Sequence, residues 1–147
     1  MVDAETLAAD ARRWLAAVGL PEAEWSIVLC DDAFIRPLNA EWRGKDSATD
    51  VLSFPQEEPV APGRFATPPQ VLGDVVVSLD TARRQATELG HSLEIEVRAL
   101  LIHGLLHLIG HDHEDDPVGA EQMRQEEVRL HEVAGLPASA ALVVRAG

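Results

Sequence analysis

Tyrosine is absent from this 147-residue chain, and there are only three Phe and three Trp. So small a stock of rings argues against a surface that stacks many bases. The single cysteine, Cys30, excludes an internal disulfide and every metal site built on clustered thiolates. No apolar run reaches the length of a membrane span, and no basic-then-apolar leader opens the sequence. A soluble cytoplasmic protein is the expectation. Bases are scarce: 12 against 25 acids, for a net charge of −13. Such a surface repels phosphate backbones as a whole. Charge alone therefore argues against RNA or DNA binding, unless a local basic pocket, a metal or a partner presents the substrate.

What is present is globular. Hydrophobic residues make up 46% and charged residues 25%, enough to enclose one core, and a single domain over 1–147 is expected. Leu7, Ala11, Trp14, Leu15 and Val18 share one face of a helix from about Asp3 to Val18, ended by Gly19 and Pro21. Trp25 to Cys30 reads as a short buried strand. Asp31 and Asp32 can cap a helix carrying Phe34, Ile35, Leu38 and Trp42, with Pro37 an ill-fitting residue inside it. Thr49 to Phe54 reads as a second strand, stopped by Pro55, and Val71 to Leu79 as a third. Ser78 or Asp80 starts a helix that ends near Gly90. Ser92, with Glu94 and Glu96 in its first turn, starts another that runs to about Ile109. Asp116 and Pro117 open a last helix to about Ala134, with a narrow apolar stripe of Met123, Leu130 and Val133.

Helices and strands do not alternate regularly, which favours an α+β fold. The expectation is a small mixed sheet of about four strands packed with helices, one of them central and buried. Five of the nine prolines fall between Pro55 and Pro69. A connection that long is a lid, a binding loop or a mobile insertion; mobility is the expectation here.

Four of the six histidines lie within eleven residues, His103-Gly-Leu-Leu-His107-Leu-Ile-Gly110-His111-Asp-His113, after the apolar run Ala99 to Ile102. Imidazoles on a buried helix need partners, and a metal ion is a partner they can share. His103 and His107 are one turn apart and can grip one ion. His111 is next on that face, but ~12 Å along the axis from His103 at 1.5 Å per residue. Three imidazoles so spread cannot converge on one ion with ligands at ~2 Å. The helix must break, and Gly110 can take the left-handed position that ends it. The returning chain can then bring His113 to the ion. Zinc suits three neutral imidazoles, with nickel, copper or iron chemically possible. Three protein ligands leave a position for water, as catalytic sites do.

This spacing resembles the metzincin protease signature. The protease carries a Glu general base after its first His. Here that position is Gly104, which removes the base and with it that mechanism.

The same residues resemble a different family. HGLLHLIGHDH is similar to the signature of the YbeY family of bacterial endoribonucleases. Two further blocks agree in order: Asn39, Trp42-Arg43, Asp46 and Thr49-Asp-Val-Leu-Ser-Phe-Pro55, then Leu72-Gly-Asp-Val-Val-Val-Ser78. The resemblance implies a single-strand-specific nuclease acting in maturation of the 16S rRNA 3' end and in ribosome quality control. It implies one zinc per chain on His103, His107 and His113, a functional Arg43, and RNA with ribosomal proteins or the ribosome as partners. It departs at His111, where the family usually has Tyr. Two rivals remain: a non-catalytic ribosome-assembly factor whose zinc stabilises the fold, and a metal-dependent hydrolase of a small molecule.

Other residues carry weaker signals. Cys30 reads as an inert buried thiol. Asp50 and Asp74 interrupt apolar strands and either cap turns or hold partners of the site. Arg83-Arg84 reads as a solvated face, and His91 and His131 as surface residues.

Overall fold

Strand β3, Val71–Ser78, is the middle of the molecule. Its valines alternate as a strand buried on both faces requires. Val75 and Val77 join the main core on one side, while Val76 meets Ile35 and Leu52 on the other. Strand β1, Glu24–Cys30, pairs with it in parallel, and β2, Val51–Pro55, pairs antiparallel, in the order β1-β3-β2. The computed structural model describes residues 2–57, 59, 61–62, 64–67, 69–111 and 117–142.

The helices follow local signals. α1, Ala4–Ala17, is capped by Asp3; α2, Asp32–Arg43, by Asp31; α3, Leu79–Leu89, by Ser78; and α4, Leu93–Leu108, by Ser92. In each the capping side chain accepts from a first-turn backbone N–H. Helix α5 spans Pro117–Val133, and a 3-10 turn follows at Ala138–Ala140. Pro37 sits inside α2 without ending it. Pro55 does not stop β2: it pairs with Gly73 at the end of the ladder. An edge strand can seat a proline because its outer side needs no N–H.

The α+β class is as expected, but three strands stand among the described residues where about four were anticipated. Between β2 and β3 the extended pairing is one bridge, Ala61 to Arg64. The five prolines of that stretch each lack the N–H that a ladder needs. Phe65 nonetheless packs on the main core. The expected mobility concerns residues partly outside those described.

Two ties fix α4 and α5. Arg98 on α4 donates to Asp10 of α1 at 2.7 Å and also pairs with Glu94. Trp14 of α1 donates from Nε1 to the carbonyl of Leu130 on α5 at 3.2 Å. The α5 stripe differs from expectation. Met123 and Leu130 are buried, but Val133 is 40% exposed, and Glu127 and His131 are fully buried in its place.

Candidate metal centre

Helix α4 lies against β2, β3, α3 and α5, which explains its near-continuous apolar sequence. From Glu96 to Leu108 every residue is buried except His103 and His107. The two imidazoles thus occupy the one notch in this stretch that opens toward solvent. Gly104, between them, faces the sheet. A Cβ there would lie 2.6 Å from Val75 Cγ1 and 3.1 Å from Ser53 Oγ. The position that holds a base in the protease signature could not aim one at the histidines here.

The two rings face each other. His103 Nε2 and His107 Nε2 face each other at 3.0 Å, with ring centroids 4.6 Å apart. Two nitrogens bound to one tetrahedral zinc at ~2.0–2.1 Å would stand about 3.3 Å apart, close to this separation. The far nitrogen of His103, Nδ1, lies 3.2 Å from Oε2 of the fully buried Glu127. The donors present therefore fit a borderline cation such as zinc. Among the described residues no cluster of three His, Cys, Asp or Glu side chains forms. The expected third ligand, His113, lies outside the described residues.

The helix break falls where expected. α4 ends at Leu108, Gly110 takes φ 100°, and the His111 N–H returns to the carbonyl of Leu106 at 2.9 Å. A Cβ on Gly110 would lie 2.5 Å from Pro59 Cγ, so the turn needs glycine for its conformation and for its clearance. His111 is 9% exposed, and burial lowers its pKa, against a smaller upward pull from Glu126. It lines a cleft of about 370 Å³ with Pro62, Ile109, Gln122, Glu126 and Arg129.

Arg43 is the exposed last residue of α2, which packs on the face of β3 opposite α4. Neighbouring Trp42 is 63% exposed and meets Phe54 of β2 edge to face at 5.8 Å. Arg13, Arg36, Arg84, Arg98, Arg124 and Arg129 all pair with carboxylates. Arg43 has no ion pair or hydrogen bond among the described residues. Nearby Asp46 accepts from Arg36, at 2.9 Å. The structure does not join Arg43 to His103 or His107.

Several side expectations are corrected. His131 is fully buried, with Nδ1 3.1 Å from the Pro137 carbonyl. His91 is partly buried and lies 2.6 Å from the fully buried Glu96. Asp74 is exposed, while Asp50 bonds Val51 N and Gln85. Arg83 and Arg84 are exposed, as expected, with Arg84 tied to Asp32 at 2.8 Å. Cys30 is half-buried, and burial, then Asp31, Asp32 and Asp80, push its pKa up to about 11, which favours the less reactive thiol form. Sequence reasoning missed Glu127. The signal was present, since it lies four residues after Met123 and three before Leu130, on the buried stripe of α5.

Comparison with known proteins places the chain in a family. Residues 2–135 match the family model described as Endoribonuclease YbeY. A protein of that name from Anaeromyxobacter sp. (strain Fw109-5) is 48% identical over 137 residues, covering 93% of this chain and 68% of the relative. Another, from Aquifex aeolicus, is 50% identical over 113 residues, 77% of this chain and 71% of its own. The solution structure of TM1509 from Thermotoga maritima superposes with a TM-score of 0.62 at 27% identity, covering 89% of this chain and 83% of that one. This chain belongs to the YbeY family.

Proposed function

We propose that the chain is a zinc-dependent endoribonuclease that cuts single-stranded RNA. Its role would be maturation of the 16S rRNA 3' end and ribosome quality control in the cytoplasm, with the ribosome or its proteins as partners. Family membership supports the reaction class, and the facing Nε2 atoms of His103 and His107 at 3.0 Å carry the metal reading. His103, His107 and His113 would hold the ion. When bound, such a cation supplies Lewis acidity toward a phosphoryl oxygen and lowers the pKa of water.

The chain's own residues divide the remaining work. The rigid, buried α4 fixes the direction of both rings. Arg43, a guanidinium not neutralised by any described carboxylate, would hold a phosphate oxygen with its planar fork and offset charge as the bond breaks. The composition argued against RNA at −13. That argument weighs total charge, whereas binding of a phosphate needs only a local site. Arg43 and Lys45, the sole lysine, lie two residues apart, both exposed. No helix among the described residues is long and apolar enough to cross a membrane.

The test is metal content by elemental analysis, with cleavage of a structured RNA by wild type and His107→Ala. Bound zinc, cleavage by wild type and none by the variant are expected. Zinc-dependent melting without any cleavage would leave a non-catalytic assembly factor. Hydrolysis of small esters alone would leave a small-molecule hydrolase.

A further inference from the structure

We propose that Glu127 is a positioning residue that sets the tautomer of His103, leaving its Nε2 lone pair aimed at the point shared with His107. This rests on the reading of the two histidines as metal ligands. Glu127 has no solvent-exposed surface, and its Oε2 lies 3.2 Å from His103 Nδ1. An ionised carboxylate only accepts hydrogen bonds. With Glu127 in that form, Nδ1 carries the proton and donates it across the 3.2 Å. With the proton on Nε2 instead, two lone pairs would face each other across 3.2 Å in a buried site. A neutral imidazole protonated at Nδ1 has its lone pair at Nε2, the atom that faces His107 Nε2 at 3.0 Å. Only one proton fits between those two Nε2 atoms, so one of them must be a lone pair; Glu127 decides that it is that of His103.

The arrangement also explains why an apolar helix face spends a position on a carboxylate. Burying one is costly unless it is partnered, and residues with greater packing value stand on either side of it, at Met123 and Leu130. A carboxylate behind a ligating imidazole both orients the ring and raises its basicity. Glu127 comes from a different helix than the histidine it holds. Correct placement of α5 against α4 thus becomes a condition for a competent ligand pair.

The experiment is a long-range proton–nitrogen correlation spectrum of metal-free protein, which reads the His103 tautomer. It is joined to zinc affinity measured by competition with a chelator. Glu127→Ala and the near-isosteric Glu127→Gln are compared with Asp32→Asn, which weakens the bonds from Ser78, Thr81 and Arg84 away from these rings. We expect the wild-type His103 proton on Nδ1. Glu127→Ala should shift it toward Nε2 and weaken zinc binding by about 10–100-fold. Glu127→Gln, whose amide oxygen still accepts, should keep the tautomer and lose less affinity. Asp32→Asn should lower the melting temperature and leave both readouts unchanged. Wild-type zinc affinity in Glu127→Ala, or a wild-type proton on Nε2, would overturn the proposal. If wild type takes up no zinc, the metal reading falls, and the tautomer still decides whether Glu127 sets the ring. Should Glu127→Ala not fold, the tautomer in wild type and Glu127→Gln decides alone.

Discussion

Ser53 donates its hydroxyl to the carbonyl of Gly104 at 3.0 Å, so the edge strand holds α4 at the turn between its two histidines. Contact this close is possible only without a side chain at 104. In an exposed helix Gly→Ala would stabilise by about 1 kcal/mol. Here the methyl would meet Val75 at 2.6 Å in a fully buried setting, and such overpacking costs about 1–3 kcal/mol. Gly104→Ala should therefore lower the melting temperature by several degrees, at about 2–4 °C per kcal/mol. Thermal unfolding followed by circular dichroism decides, and a raised melting temperature would show that α4 stands farther from the sheet.

The ligand set makes a second prediction. His103→Ala and His107→Ala should each lose most bound metal. His113→Ala should lose it too, whereas His111→Ala, whose backbone stays bonded to the last turn of α4, should retain most of it. Elemental analysis of the four variants is the measurement. Full occupancy in either α4 variant contradicts the pair, and reversed results for 111 and 113 reassign the third ligand.

Arg43 should serve chemistry and not stability. An exposed side chain with no described partner contributes little to folding. Arg43→Ala should leave metal content and melting temperature nearly unchanged and cut RNA cleavage by roughly ten- to a thousandfold, the ~1.4–4 kcal/mol of one lost transition-state contact. Arg43→Lys should restore part, since an ammonium lacks the fork. Undiminished cleavage by Arg43→Ala would leave it a surface residue.

Acid stability depends on Asp32. Ser78 and Thr81 donate their hydroxyls to its Oδ1 at 2.6 and 2.7 Å, and Arg84 donates to Oδ2, drawing its pKa from 3.8 down to about 2. The fold prefers the ionised form. Its contribution is therefore complete above pH ~4 and fades as the pH falls toward 2. With allowance for its partial exposure it is worth about 1–2 kcal/mol. Urea unfolding should find Asp32→Asn less stable than wild type at pH 5, with the gap closing near pH 2. A gap that persists at pH 2 would assign the loss to packing.

Much of this was legible because local rules were obeyed. Asp31 and Ser92 cap where their carboxylate or hydroxyl precedes an apolar period, and Gly110 ends α4 where the histidine spacing anticipated a break. The misreadings share a cause. Val133 and His131 are one helical stripe apart, and whether that stripe is covered depends on the turn at Pro137, which no periodicity of α5 encodes. The three strands named from the residues, near Trp25–Cys30, Thr49–Phe54 and Val71–Leu79, are the three of the sheet, and the anticipated fourth has no counterpart among the described residues. Glu127 escaped notice because a carboxylate on a polar helix looks solvated until the partner helix is placed.

Asp10 and Trp14 lie one turn apart on α1 and reach Arg98 on α4 and Leu130 on α5, the two helices that bring His103 and Glu127 together. The first helix thus acts as a splint across the supports of the centre. A genetic screen for lost activity should therefore return hits at Asp10 and Trp14, side chains that bond neither histidine. Read without the fold, those hits would be scored as a second functional region; read with it, they report the angle between two helices far along the chain.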